Sequence, residues 1–289
     1  LPVDDPRRRV WMAADRFSHQ FISAIPTDAL DCSADEFREM YTTYFGAVSP
    51  AAIPLVRSVI PSSPPRQLDP HALELDSACL PIATFTIPHD AIRDYLYDLC
   101  AGCGMAAQWE PRFIFQSLIP TGVLLAPGRP PAVVPDISAA APMPALATTR
   151  GAIRGASLPE RVLLWDVKLV HGGTRHYYLS ARARDEQSGA VAARAHDVWP
   201  AYRRHAQELD RRFYPGGGTP IASRLLSYTP TRALVFGQYA EASPDVHGLI
   251  EVIARRPAAA QWRRYGARTK TEAYGFFVAA LRRRVGVFV

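Results

Sequence analysis

The segment Val162-Leu163-Leu164-Trp165-Asp166-Val167-Lys168-Leu169-Val170 decides the fold, because only an aspartate and a lysine interrupt its apolar run. A short apolar run rich in β-branched and aromatic residues is typical of a strand buried on both faces. Successive side chains of a strand point to opposite faces, so Asp166 and Lys168 share one side while Val167 points into the core. The segment therefore predicts a central strand that carries an Asp-x-Lys pair.

Lys168 is one of only two lysines among the 33 lysine and arginine residues of the chain. A GC-rich genome would explain the arginines, but it would not explain the position of this lysine. A lysine is a compact point charge that can lose its proton in a desolvated site, whereas arginine stays protonated. The lysine at position 168 of this arginine-rich chain therefore indicates a position that a guanidinium group cannot fill.

The predicted central strand spans residues 161–170, and the segments before and after it predict the fold class. Periodicity and capping residues predict helices over 91–101 and 188–213, and apolar runs predict strands at 107–116, 132–138 and 232–239. The order α-β-β-β-α-β predicts an α/β fold with a mixed central sheet flanked by helices. Other predicted elements are a helix opened by the Ser33–Glu36 capping box, a short strand at 82–87, a helix after Ser243 and a helical tail at 271–284.

We predict three regions along the chain. Residues 1–87 form a mostly helical accessory region, residues 88–255 form the α/β core, and residues 256–289 form a helical tail. The chain begins at Leu1 without an initiator methionine, so we expect it to be a piece of a longer polypeptide or a subunit of a larger assembly.

Composition restricts the environment and the partner. With 289 residues and a net charge of +6, the chain can bury a sizeable core and favours an anionic partner. Four cysteines are too few for a disulfide-dense secreted fold, which favours a reducing compartment. Neither a signal peptide nor a membrane-spanning apolar run is recognisable. We expect an intracellular, nuclear protein with no membrane segment.

Acidic residues on neighbouring predicted strands indicate a metal site. If 132–138 pairs with 161–170, Asp136 lies beside Asp166, and two close carboxylates repel each other unless a cation lies between them. Mg²⁺ binds few carboxylates, carbonyls and water, so Asp136, Asp166 and the Val167 carbonyl are candidate ligands, with Mn²⁺ as an alternative ion. Glu110 is the natural third acid. Such an ion polarises a phosphodiester and activates a water molecule.

In this arrangement, Lys168 would orient the water and stabilise negative charge that develops in the transition state. The catalytic set is then Asp136, Asp166, Lys168 and Glu110. Two alternatives remain open at the level of sequence. An Asp-x-Lys on a strand is more often an exposed ion pair, and Pro-Asp dipeptides are common in turns.

A set of short motifs resembles one known family. These motifs are Phe21-x-x-Ala24-x-Pro26-Thr27, Pro88-His89-Asp90-Ala91-Ile92, Trp109-Glu110-Pro111, Pro135-Asp136 and Asp166-Val167-Lys168. Together, over about residues 11–255, they resemble the restriction-like PD-(D/E)XK endonuclease region of some non-LTR retrotransposons. The resemblance implies a restriction-endonuclease-like αβββαβ core and metal-dependent cleavage or nicking of DNA, with Asp136, Asp166 and Lys168 as the core of the site and Glu110 as a further member.

The same resemblance raises the question of a structural zinc. Relatives often carry a Cys/His zinc knuckle before the His-Asp helix, and His71, Cys79 and His89 match it. Ser62 and Ser63 stand where the leading cysteines would be expected, which argues against a structural Zn²⁺. The Cys100-Ala-Gly-Cys103 motif lies at a predicted helix end without a second pair, so buried structural cysteines are expected there.

Basic residues after the catalytic strand are candidates for nucleic-acid binding. Phosphate contacts give affinity without reading sequence, and incidental surface charge is the alternative. DNA is the expected partner and RNA the alternative. The non-enzymatic alternatives are a catalytically degenerate nucleic-acid-binding module and a structural subunit of a nucleoprotein assembly. The candidate residues are Arg175, His176, Arg182, Arg184, Arg203 and Arg204.

Overall fold

The structure is a computed structural model that describes residues 15, 17–20, 33–60, 65–71, 82–120, 133–142, 160–170, 189–228, 230–237 and 240–288. Of the predicted nucleic-acid contacts, Arg203 and Arg204 belong to these ranges. Arg175, His176, Arg182 and Arg184 lie outside the described residues.

The chain folds into a mixed α/β structure. The helices are α1 (Ala34–Tyr44), α2 (Ile82–Gly102), α3 (Phe113–Gln116), α4 (Gly189–Phe213), α5 (Pro220–Ser227), α6 (Pro244–Gln261) and α7 (Lys270–Phe288). The strands are β1 (Val59–Ile60), β2 (Arg66–Gln67), β3 (Ala106–Trp109), β4 (Ile137–Pro142), β5 (Glu160–Val170) and β6 (Arg232–Gly237). A single 3-10 turn spans Ile53–Leu55.

Four of these strands form one sheet in the order β3-β4-β5-β6, flanked by helices. Strand β4 pairs antiparallel with both β3 and β5, in a register that sets Trp109 opposite Ile137 and Ile137 opposite Trp165. The predicted α/β class and the predicted mixed sheet with flanking helices are confirmed. The long central strand is confirmed almost to the residue, because its apolar run fills both faces.

Three predicted elements differ from the structure. The strand predicted over 132–138 is observed over Ile137–Pro142, so Asp136 lies directly before it. The strand predicted over 107–116 ends at Trp109, because Glu110 adopts a positive φ of 38° and Pro111 follows, and a short helix then spans Phe113–Gln116. The strand predicted at 82–87 is wrong, since this segment is the first part of α2 and continues through Pro88. Its β-branched residues favour a strand only weakly, and tertiary context overrides such a preference.

The first predicted region contains more than helices. Helix α1 begins at the predicted capping box, in which Ser33 N donates to Glu36 Oε2 (2.7 Å) and Glu36 N donates to Ser33 Oγ (3.2 Å). Strands β1 and β2 then form a small antiparallel sheet. Helix α2, Ile82–Gly102, runs across the predicted boundary at residue 88. None of the described helices is long and apolar enough to cross a membrane.

The chain forms two compact units, and each recruits distant segments. One unit consists of residues 1–92, 167–196 and 234–289, and the other consists of residues 93–166 and 197–233. The second unit has a core in which β5, α4 and α5 meet, and its buried members are Ile114, Phe115, Val133, Leu164, Ala206, Leu209, Ile221 and Leu225.

An aspartate on α4 caps the neighbouring helix within this core. Asp210 is only 2% exposed. Its two carboxylate oxygens accept hydrogen bonds from Ile221 N and Ala222 N, each at 2.9 Å. The first turn of α5 would otherwise leave these N–H groups without partners, because Thr219 makes no side-chain cap. Asp210 therefore joins α5 to α4.

Candidate functional site

Three predicted acidic residues meet at one end of the sheet. Asp136 comes directly before β4, and its backbone N donates to Trp165 O at 3.0 Å, next to Asp166 on β5. On the other side, Glu110 N donates to Asp136 O at 2.9 Å, directly after the end of β3. Pairing of the strands therefore brings together residues that are up to 56 positions apart along the chain.

Asp166 is buried, with 3% of its surface exposed. Its Oδ1 accepts a hydrogen bond of 2.7 Å from the Tyr202 hydroxyl on α4, which also lies 3.1 Å from the Val134 carbonyl. An exposed ion pair, which was one alternative for the Asp-x-Lys motif, is excluded for a carboxylate this deeply buried. Asp166 instead belongs to a polar cluster within the second unit.

The surroundings of Tyr202 raise the pKa of its hydroxyl. Burial raises the pKa of its hydroxyl well above the ordinary value, and the negative charges of Asp166 and Asp136 raise it further. Tyr202 therefore keeps its proton at any physiological pH and acts as a hydrogen-bond donor. The antiparallel register that sets Ile137 opposite Trp165 sets Asp136, one residue earlier, beside Asp166, one residue later.

Glu110 has a different environment from its two neighbours. Its Oε1 lies 3.2 Å from Arg93 Nη1 and its Oε2 lies 2.6 Å from Arg112 Nη2. The Arg93 guanidinium group also stacks over the Trp109 ring at 4.6 Å. Glu110 thus lies beside Asp136 along the backbone, but its carboxylate is engaged by two arginines.

Lys168 and the carbonyl of Val167 form a cluster in the first unit. Lys168 Nζ donates to Val167 O at 3.1 Å, and His89 Nε2 lies 3.1 Å from the same oxygen. The other ring nitrogen of His89 lies 3.0 Å from Asp90 Oδ1. Val167 itself is fully buried, as predicted for the inward-facing residue of the motif.

The remaining predicted residues are not in these clusters. Arg203 and Arg204 are exposed on α4. Cys100 is fully buried at the end of α2 and Cys103 is partly exposed, and neither forms a disulfide. Burial raises the pKa of the Cys100 thiol to about 12, with a smaller contribution from Cys103, so this thiol is a poor metal ligand or nucleophile at neutral pH. The predicted structural role of the pair fits this environment.

Among the described residues, no group of three or more His, Cys, Asp and Glu side chains is arranged to hold a metal ion. Of the three neighbouring acids, Glu110 pairs with two arginines. Two carboxylates, those of Asp136 and Asp166, remain as neighbours on adjacent strands.

No sequence pattern predicts the contacts of two residues in these clusters. Tyr202 lies 36 positions after Asp166, within the helix predicted over 188–213. His89 lies 78 positions before Val167, in the Pro88-His89-Asp90 motif and in the zinc pattern, neither of which predicts its contact with Val167. Their contacts depend on tertiary packing, which no local spacing encodes.

Comparison of the chain with protein-family models, with curated proteins and with solved structures finds no match to any of them.

Proposed function

We propose that the protein is a metal-dependent endonuclease that cleaves or nicks DNA, with a restriction-endonuclease-like αβββαβ core. One observation carries the proposal: Asp136, directly before β4, is a neighbour of Asp166 on β5, and Lys168 follows Asp166 two residues later on the same strand. Mg²⁺ in phosphate-processing sites is usually bound through one or two carboxylates and water. Asp136 and Asp166 are therefore the residues that would hold Mg²⁺, or Mn²⁺ in its place.

An ion held by these carboxylates would neutralise charge at a phosphate oxygen and activate a water molecule. The Tyr202 hydroxyl orients the Asp166 carboxylate through its hydrogen bond of 2.7 Å. Lys168, two residues after Asp166 on the same strand, would supply a positive charge for the negative charge that develops on the phosphate. Glu110 is the weakest member of the predicted set, because its carboxylate pairs with Arg93 and Arg112.

The test is a plasmid-nicking assay with Mg²⁺ that compares wild type with Asp136→Asn, Asp166→Asn and Lys168→Arg. The two amides keep the side-chain shape but remove the charge that a cation requires. We expect each to lower the nicking rate by about 100-fold or more, because electrostatic stabilisation of the transition state is worth several kcal/mol. Lys168→Arg is expected to lose activity as well, because a guanidinium group replaces a compact ammonium group.

Asp98→Asn is the matched control, because Asp98 is an exposed aspartate on α2. It should nick at the wild-type rate. Circular dichroism of each variant should match that of the wild type, so that a loss of rate is not a loss of fold. Nicking that survives both Asp166→Asn and Lys168→Arg would contradict the mechanism.

A second candidate is a nucleic-acid-binding module with a degenerate site. The specific observation in its favour is that Glu110 pairs with two arginines and the Val167 carbonyl accepts contacts from Lys168 and His89. Fewer oxygen ligands then remain for an ion. This candidate predicts DNA or RNA binding by the wild type without nicking in either Mg²⁺ or Mn²⁺.

A further inference from the structure

The net positive charge of the chain is concentrated in its C-terminal part. Residues 244–289 contain nine lysines and arginines but only three aspartates and glutamates. The net charge of this segment is therefore +6, the same as that of the whole chain. The preceding 243 residues are therefore electrically neutral overall. These C-terminal residues form α6, α7 and the turn between them. We call residues 255–274 the basic hairpin.

The turn of the basic hairpin is held in a defined conformation. Gly266 adopts a φ of 69°, Gly266 N donates to Arg263 O and Ala267 N donates to Trp262 O. These two bonds form the Schellman motif that ends α6. Helix α7 begins with a capping box, in which Glu272 N donates to Thr269 Oγ1 at 3.0 Å and Arg268 N donates to Glu272 Oε2 at 2.6 Å.

Exposed cations surround this turn. Arg255 and Lys270 line an open cleft of about 280 Å³ together with Thr271 and Tyr274. Within the described part of the chain, none of the exposed cations of the basic hairpin forms an ion pair. Glu272, the acid nearest to them along the chain, uses its carboxylate for the capping box. The exposed cations are Arg255, Arg263, Arg264, Arg268 and Lys270.

Aromatic side chains accompany these cations. The Arg263 guanidinium group stacks over Trp262 at 4.9 Å, and Tyr265 is 55% exposed while its ring packs against Phe277 at 4.8 Å. Cations interleaved with aromatic rings on a rigid turn are the composition of a nucleic-acid surface.

We infer that the basic hairpin binds the phosphate backbone of duplex DNA without reading its sequence. The charge complementarity is direct, because a duplex carries one negative charge for every ~1.7 Å of its axis and its condensed counterions are released when cations replace them. The hairpin shares only its partner with the proposed nuclease activity. It binds without any metal, so the two proposals can fail separately.

The experiment measures the affinity of the full chain for a fluorescent 30-base-pair duplex in EDTA at several salt concentrations. Arg255→Gln with Lys270→Gln removes the two cations that line the cleft. Each lost phosphate contact lowers the slope of log K against log salt by about 0.9, so we expect the slope to fall by about 2. The same relation gives a loss of affinity of roughly 30-fold at 0.15 M salt.

The matched control is Arg283→Gln with Arg284→Gln, which removes two exposed cations from the other end of α7. It should leave the slope unchanged. Equal losses for both double variants would mean that only net charge matters, and would overturn the inference. Unchanged duplex binding by the cleft variant would overturn it too. Binding to vesicles that contain phosphatidylserine is measured in parallel. If the cleft variant lost affinity only for these vesicles, the inference would also be overturned, because the partner would then be a lipid surface.

Discussion

At the residue scale, Tyr202 links the helix layer to the acidic pair. Its hydroxyl is the donor to Asp166 Oδ1, and burial, together with the charges of Asp166 and Asp136, raises its pKa and keeps it protonated. A hydrogen bond to one oxygen of a carboxylate fixes the plane of the carboxylate and the direction of the other oxygen. Tyr202 is therefore a positioning residue for Asp166.

Tyr202→Phe removes this hydroxyl and leaves the ring in place. Partners that orient a metal-binding carboxylate are typically worth 10–100-fold in metal affinity or activity, so we expect about a tenfold rise in the Mg²⁺ concentration needed for half-maximal nicking. The affinity for the duplex in EDTA should not change. Nicking assays over a Mg²⁺ titration measure the first quantity, and fluorescence anisotropy measures the second.

Tyr214→Phe is the control, because it removes a hydroxyl that donates to the Leu118 carbonyl at 2.6 Å beside the same core. Both variants lose the hydroxyl of a half-buried tyrosine, but only Tyr202→Phe removes a donor to a carboxylate. If the two variants shifted the Mg²⁺ requirement equally, Tyr202 would have only a structural role.

The adjacency of Asp136 and Asp166 could be predicted from sequence, because both residues adjoin apolar strands whose order along the chain is legible. The environment of Glu110 could not, because it depends on a positive φ and on Arg93, which lies 17 residues earlier on α2. The hydrogen bond from Tyr202 to Asp166 could not be predicted from the sequence either. Local pattern therefore predicts which backbones meet, but it does not predict which side chains pair.

At the scale of elements, α5 depends on a cap that another helix supplies. Asp210→Ala would leave the N–H groups of Ile221 and Ala222 without acceptors in a buried setting. Each unsatisfied buried donor costs about 1–3 kcal/mol, so we expect the free energy of unfolding to fall by about 2–4 kcal/mol. Chemical denaturation monitored by circular dichroism measures this change.

Glu208→Ala is the control for this prediction, because Glu208 is exposed on the same helix. It should change stability by no more than about 0.5 kcal/mol. Equal stabilities for Asp210→Ala and Glu208→Ala would contradict the proposed role of the cap.

Helix α5 was absent from the sequence prediction, and its remote cap explains why. Signals for a helix start are normally read from neighbouring residues, but Thr219 makes no side-chain cap and Asp210 lies 11 residues before Ile221. Helix α6 was predicted correctly from Ser243 and Pro244, although the Ser243 hydroxyl accepts a hydrogen bond from Val235 N instead of capping its helix. Correct boundaries can thus rest on a different contact from the expected one.

At the scale of the whole molecule, residues that are far apart along the chain meet in one unit. The Asp15 carboxylate accepts hydrogen bonds from Phe17 N and Ser18 N in its own segment and from Ala242 N, and it lies 3.6 Å from His247 Nε2. The Phe17 ring packs on the His247 ring at 4.6 Å. This segment is therefore part of the same core as α6.

The contribution of Asp15 to stability depends on pH. Burial alone would raise the pKa of this carboxyl. The hydrogen bonds from His247 and from the backbone of Ala242, Phe17 and Ser18 together lower it by more, so that its pKa lies below the ordinary 3.8. A folded pKa below the unfolded one means that the stabilisation is fully present above the unfolded pKa. It is lost as pH falls through the folded pKa.

We therefore expect Asp15→Asn to lower the melting temperature at pH 7, and we expect its difference from the wild type to shrink as pH falls below 3.8. Thermal unfolding followed by circular dichroism over this pH range measures the difference. Asp35→Asn, at an exposed position on α1, is the control and should show a small difference at every pH. A difference for Asp15→Asn that stayed constant with pH would contradict the assigned charge.

The contact between Asp15 and Ala242 has a consequence for synthesis of the chain. The two residues are 227 positions apart, and ribosomes add about 5–20 residues per second, so about 10–45 s separate their appearance. Phe17, which is 1% exposed in the folded protein, lacks its partner His247 throughout this interval. During translation, the Phe17 side chain is therefore exposed, and the nearby Asp15 carboxylate lacks Ala242 and His247 as partners. A chaperone that binds near residue 17 would protect the nascent chain until α6 leaves the ribosome.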